Sequence, residues 1–153
     1  MASRRDLIRM TEEEVSAFLG EHILGVFGTV DASGCPHMVN TAFLADTEGI
    51  AVTSFAAAQK VRNIERTGTA SLLVEVNWPY SQVRGVLISG PTRIVTDVDV
   101  VIDVTTRIRT RHASMEAGTP AVDIATHAAK RCVLYIAPQK IRSWDHTKLG
   151  GRY

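Results

Sequence analysis

Only two of the 153 residues are cysteine, Cys35 and Cys132, and they stand at no metal-ligand spacing. So small a number excludes a disulfide framework and predicts free thiols in a reducing compartment. An excess of one charge is also missing: 17 Lys and Arg face 16 Asp and Glu. No global field then draws the chain to nucleic acid or an anionic membrane, and any anion binding is local. Aromatic residues make up 6%, too few for the alternating aromatic and basic sheet face of an oligonucleotide-binding barrel. No apolar window approaches the length that spans a bilayer. The basic opening Met1-Ala2-Ser3-Arg4-Arg5 is followed by no apolar run, which predicts neither a secretory nor a twin-arginine signal. The expectation is a cytoplasmic protein with no membrane or nucleic-acid partner.

Catalytic signatures are equally sparse. His22, His37, His112, His127 and His146 lie at unrelated spacings, with no HExxH pattern and no nearby ligand set. There is no Gly-x-Ser-x-Gly elbow, and neither cysteine has a recognisable partner. A chain of this kind suits a cofactor enzyme, in which a bound ring does the difficult chemistry and the polypeptide orients it. At 153 residues it is one domain, too short for separate cofactor and substrate domains. A large ligand must therefore lie on the surface or between subunits.

What is present is a succession of short strands. Thr11 and Glu14 form a capping-box signature, and Val15, Phe18 and Leu19 give the following helix an apolar face ending near Gly20. Strands are predicted at 23–30, 36–45 and 50–55, joined by turns at Asp31–Gly34 and Asp46–Gly49. A helix carrying Lys60 follows, then strands at 69–76 and 82–95, the latter bent or bulged at Gly90 and Pro91. A helix over 97–111, a shorter one from Thr119 and Pro120 to Ala129, and strands at 131–137 and 140–144 complete the pattern. Many short antiparallel strands with turn signals argue for a barrel rather than a doubly wound sheet. Residues 1–10 are expected to be a flexible N-terminus, 11–145 the barrel domain and 146–153 a C-terminal tail.

The stretch from Ile23 to Arg66 is the most informative. A strand ending Val52-Thr53-Ser54 feeds the helix that opens Ala57-Ala58-Gln59-Lys60-Val61-Arg62-Asn63. A helix N-terminus offers free N–H groups to an anion. At about 100° per residue, Val61 and Ile64 share an apolar stripe, Lys60 and Asn63 line one edge of it, and Arg62 and Arg66 project elsewhere. Lys60 and Asn63 could thus share a phosphate; an ordinary solvated helix would carry the same residues.

The ordered set Gly34-Cys35-Pro36-His37-Met38-Val39-Asn40, Thr53-Ser54, Lys60-Val61-Arg62-Asn63-Ile64 and the tail Ile141-Arg142-Ser143-Trp144-Asp145-His146-Thr147-Lys148-Leu149-Gly150-Gly151 resembles the pyridoxamine 5'-phosphate oxidase-like split β-barrel proteins. Within them it is most similar to the actinobacterial branch that uses the deazaflavin coenzyme F420. The resemblance covers roughly Thr11 to Gly151. It implies a mainly β fold with flanking helices, a split β-barrel acting as a homodimer, with two cofactor clefts at the subunit interface.

By the same resemblance, His37, Val39, Asn40 and Thr41 would lie at or near the tricyclic ring. Thr53 and Ser54 would meet the ribityl chain or phosphate, Lys60 the phosphate, and Trp78, Tyr80 and Arg84 would come from the second subunit to cover the ring. Asn40 could instead cap a strand edge, and Trp78 could plug the barrel end. Trp144 would serve the dimer or the cofactor edge, while His146 reads as an exposed tail residue. Where F420-binding relatives often carry a further arginine two residues before the lysine, this chain has Ala58, and Arg62 could compensate only by wrapping round the helix. The implied activity is hydride transfer from reduced F420 to a small conjugated or unsaturated substrate. Rivals are an FMN-dependent oxidoreductase of the same fold and a non-catalytic cofactor- or haem-binding protein. Pyridoxine-type oxidation is disfavoured because the sequence shows no further basic cluster for a substrate phosphate.

Overall fold

The computed structural model describes residues 3–115 and 123–150. Its elements are α1 (Arg4–Leu7), α2 (Glu12–Glu21), β1 (Leu24–Val30), β2 (Pro36–Ala42), β3 (Leu44–Asp46), β4 (Gly49–Phe55), α3 (Gln59–Thr67) and β5 (Thr69–Val76). A 3₁₀ turn at Tyr80–Gln82 leads to β6 (Arg84–Val95), α4 (Val98–Met115), α5 (Ile124–Ala128), β7 (Arg131–Ile136), β8 (Lys140–Asp145) and a last 3₁₀ turn, His146–Leu149. The predicted helix start at Thr119 and Pro120 lies outside the described residues; α5 itself is capped by Asp123, whose side chain accepts from the Thr126 N–H.

All strand pairs are antiparallel, in the order β2-β1-β5-β6-β7-β4-β3, with β8 added to β6. β6 curls the sheet because it changes partner along one edge: residues 84–89 pair with β8 and 92–95 with β7. The exchange happens at Gly90, where the link from β7 to β8 crosses so closely that a Cβ would stand 1.9 Å from the Ala137 carbonyl oxygen. The bend that the sequence predicts at Gly90-Pro91 is this crossing. The result is a mainly β, half-closed barrel with flanking helices, the split β-barrel fold.

The barrel interior is filled by Phe27, Leu72, Val74, Val86, Ile88, Leu134 and Ile136, closed by Phe18 of α2 and by Val61 and Ile64 of α3. Each such buried side chain contributes about 1.5–3 kcal/mol relative to exposure. A second cluster lies outside the barrel wall, where Val101, Val104 and Ile108 of α4 cover Ala51 of β4 and Val133 and Tyr135 of β7. Both faces of β4 and β7 are thus covered, which is why these strands read as continuous apolar runs.

Two expected boundaries move. The strand foreseen over 36–45 divides at Phe43, which turns inward to 1% exposure. The N-terminal arm is fastened before residue 10: the Asp145 N–H donates to the Ile8 carbonyl at 2.7 Å, the Met10 N–H donates to Ser143 Oγ at 3.1 Å, and Met10 joins the core. The outer edge of β8 supplies those polar partners, while Arg5, Asp6 and Leu7 of α1 are exposed. No helix among the described residues is long and apolar enough to cross a membrane.

Candidate functional site

β4 ends at Phe55, and a tight turn in which the Ala58 N–H donates to the Phe55 carbonyl at 3.0 Å delivers the chain into α3. Ala58 is the N-cap, and no side chain caps the helix. Here serine, threonine or aspartate would normally satisfy the first N–H groups; alanine leaves them available to an external anion. Lys60, in the first turn, is half-buried. Its amine is held below the ordinary lysine range chiefly by burial, with the Arg131 guanidinium adding to the depression and Cys132 opposing it. Arg131 itself sits opposite Phe55 in the β4–β7 ladder and stacks on its ring, 4.4 Å from guanidinium carbon to centroid. Among the described residues neither Lys60 nor Arg131 has a carboxylate partner. Two neighbouring cations without a counterion, beside an uncapped helix start, fit a phosphate.

Asn63 does not share that seat. It is 1% exposed; its Nδ2 donates to Thr29 Oγ1 at 2.9 Å and its Oδ1 accepts from Gln59 Nε2 at 2.8 Å. The amide fastens α3 to β1, and the helical edge that looked common to Lys60 and Asn63 divides between seat and core. Strand alternation separates other predicted neighbours. Thr53 faces α4, while Ser54 turns inward, buried, with Oγ donating to the Phe55 carbonyl at 3.1 Å. His37, Val39 and Thr41 share the inner face of β2 opposite Thr29, Phe27 and Gly25, whereas Asn40 is exposed on the outer face opposite Val26. Thus Asn40 cannot meet the same ligand surface as the other three within one subunit. Among the described residues His37 Nδ1 is buried without a hydrogen-bond partner.

Trp78 and Tyr80 stand 80% and 61% exposed, with Tyr80 edge-on to the His146 ring at 5.1 Å between centroids. Arg84 turns back on its own chain, 3.8 Å from Glu21 and 5.3 Å above the Phe18 ring. Trp144 is half-buried and lies across Gly85, where a Cβ would stand 2.3 Å from the indole. The tail turn is docked rather than free, since Lys148 Nζ reaches Glu14 Oε2 at 2.5 Å and the Arg9 carbonyl at 2.8 Å.

Beside the seat, a cleft of about 460 Å³ opens between β4, α4 and α5. Thr53, Phe55 and Arg131 form one wall, and Thr105, Arg109 and His112 of α4 another, with His127 of α5 at the side. The sequence gives no sign of Arg131 as a neighbour of Lys60, because only the β4–β7 ladder joins them. The α4 residues do leave a trace: Thr105, Ile108, Arg109 and His112 recur at i, i+3, i+4 and i+7, one face of a helix. Arg109 and His112 of this face line the cleft together with Arg131 and His127, which lie far from them in the sequence. A larger concavity, about 1120 Å³, lies between the N-terminal arm and β8, and none of the residues predicted for the ring or the phosphate lines it. Among the described residues no group of three or more His, Cys, Asp or Glu could hold a metal ion.

Comparison with known proteins agrees with this architecture. The chain is 27% identical to the conserved hypothetical protein Rv2991 from Mycobacterium tuberculosis, over 99% of this chain and 95% of that one, with a TM-score of 0.84. A structure described as an F420 reductase is 20% identical, covering 82% of this chain and 94% of that one at a TM-score of 0.68. The haem storage protein HutZ from Vibrio cholerae is 19% identical, covering 85% and 92% at 0.65. No curated protein matches the sequence. The family model for pyridoxamine 5'-phosphate oxidase matches residues 11–145, the span that carries the curled sheet, the α3 seat and the neighbouring cleft, and the chain belongs to that family.

Proposed function

We propose that this protein is an oxidoreductase that binds a flavin-type cofactor, coenzyme F420 in first place and FMN as the alternative, and reduces a small conjugated or unsaturated organic substrate. The observation that carries it is the α3 seat, an uncapped helix start with Lys60 and Arg131 lacking any carboxylate among the described residues. Arg131 takes the place that Ala58 leaves without a guanidinium, and Arg62 need not wrap round the helix. Lys60 and Arg131 would hold the cofactor phosphate, Thr53 the adjoining chain, and the inner face of β2, with His37, Val39 and Thr41, one side of the ring. When bound, the reduced deazaflavin supplies a hydride; the polypeptide holds the phosphate, orients the ring and narrows water access.

The particle is a homodimer in this proposal. Supporting it is the outer sheet face, where Leu24, Val26, Val30 and Met38 are 46%, 37%, 44% and 67% exposed on adjacent strands β1 and β2. Such an apolar band is costly to leave in water and suits a second copy of the same surface. Asn40 is exposed on that face and Trp78, in the turn before β6, is 80% exposed, so in this reading both would reach toward a partner's cofactor. The test is a titration of purified protein with F420 and with FMN, followed by sedimentation of the complex. Tighter binding of F420 to a dimer is expected, and Lys60→Ala should weaken it about tenfold or more, the loss of one charge-assisted hydrogen bond of roughly 1.5–3 kcal/mol. A clear preference for FMN would reverse the cofactor order, and undiminished affinity in Lys60→Ala would remove the seat.

A further inference from the structure

We propose that the C-terminal turn His146–Leu149 is a strap that positions the Trp78-bearing turn ahead of β6, with His146 and Lys148 as its two fastening residues. The strap is built as a unit. Asp145 caps it, its Oδ1 accepting from the Thr147 N–H at 2.9 Å and from Thr147 Oγ1 at 2.6 Å, and Gly150 ends it at a φ of 56°. Its first residue is fixed to one neighbour and its third to another. The His146 N–H donates to the Val83 carbonyl at 2.9 Å, and the Tyr80 ring stands edge-on to the imidazole. Lys148 Nζ reaches across to the start of α2, donating to the Arg9 carbonyl and to Glu14 Oε2, an oxygen that also accepts from the Thr11 N–H at 2.7 Å. At the foot of the Trp78-bearing turn, Arg84 leans on Phe18 and Glu21 at the other end of α2. That turn is thereby tied to both ends of one helix. Magnitude decides what the strap is for. The Lys148 and Glu14 side chains are 26% and 44% exposed, and an ion pair so open to water contributes little to stability. Its use lies in its place: a large, solvent-exposed indole on an unfastened turn must be ordered whenever it meets a ligand, and a turn fixed in advance avoids that cost.

That Trp78 meets a partner's cofactor rests on the function proposed above; that the strap orders its turn does not. Lys148→Met retains the length of the side chain and removes both of its anchors. Hydrogen exchange over residues 77–83, read by mass spectrometry on the cofactor-free protein, should be at least about threefold faster in Lys148→Met and in His146→Ala, and unchanged in Lys148→Arg. Exchange in β5 and α3 should stay as it was, with Tm within about 2 °C. Lys148→Met should also weaken F420 about two- to tenfold, the range set by ordering one large side chain on binding; FMN takes its place in the titration if it is the tighter ligand. That loss should vanish in a Trp78→Ala background, where the strap has nothing left to position. Unchanged exchange at 77–83 in both strap variants, faster exchange throughout the chain with a fall in Tm, cofactor affinity that Lys60→Ala lowers and Lys148→Met does not, or losses from Lys148→Met and Trp78→Ala that simply add would each overturn the proposal. The exchange measurement needs no cofactor, so failure of the cofactor reading, seen as undiminished affinity in Lys60→Ala, does not mimic failure of the strap.

Discussion

Lys60→Met separates what the α3 lysine does for the fold from what it does for a ligand. Methionine keeps the unbranched stem and removes only the charge. In the free protein Lys60 is half-buried, carries no carboxylate partner among the described residues and is repelled by Arg131, so its folded pKa is lowered from 10.5, mainly by burial. A lysine with a lowered folded pKa binds fewer protons folded than unfolded between the two values, and stability therefore rises with pH through that window. Below the depressed pKa the full penalty is present; at about the ordinary lysine value it has gone. Lys60→Met should accordingly raise Tm near neutral pH, and the gain should shrink as pH climbs through the alkaline range. The cost appears on binding. Loss of a charge-assisted hydrogen bond of about 1.5–3 kcal/mol weakens the phosphate-bearing cofactor roughly 10- to 150-fold. Thermal melts from neutral to alkaline pH, in a buffer without phosphate, and a fluorescence titration with F420 measure both effects. A lower Tm at neutral pH together with unchanged affinity would refute the reasoning, since Lys60 would then be a structural residue with a partner of its own.

Two further substitutions test positions that hold the site in place. Arg111 of α4 donates to the carbonyls of Leu19 at 2.8 Å, Gly20 at 3.0 Å and His22 at 2.7 Å, closing the C-terminal end of α2; Arg111→Met should cost about 1.5–3 kcal/mol, a fall in Tm of roughly 3–12 °C for a chain of this size, and an unchanged melt would show that water replaces the guanidinium. Asn63→Ala leaves Thr29 Oγ1 without its donor inside the barrel and should lower stability by about 1–3 kcal/mol in urea unfolding, while F420 affinity of the folded fraction stays within twofold; a tenfold loss of affinity at full stability would return Asn63 to the ligand.

Much of the architecture is legible in the chain because it is written in local patterns. The Thr11 and Glu14 capping box starts α2 where the sequence places it. The turns at Asp31–Gly34 and Asp46–Gly49 connect strands near their predicted places, and Gly90-Pro91 marks the bend in β6. Absences were informative too, since a chain with so few motifs and so little charge bias directs attention to one local anion seat. Lys60 is visible for this reason: a strand end, an uncapped turn and a basic residue in the first helical turn are consecutive in sequence.

What only the tertiary structure decides is which side chains face one another. Asn63 and Lys60 share a helix edge by angle, yet the packing of α3 on β1 buries one and leaves the other at the seat. Thr53 and Ser54 are adjacent in sequence and face opposite sides of a wall that is covered on both faces, which a strand's period of two requires but the sequence cannot orient. Arg131 comes within electrostatic range of Lys60 through the register that sets it opposite Phe55, and His112 and His127 line a common cleft although their spacing follows no motif. The physical reason is the same in each case. Hydrogen bonding and propensity act over a few residues and can be read locally, whereas the charge and burial of a side chain depend on strands brought together from distant parts of the chain.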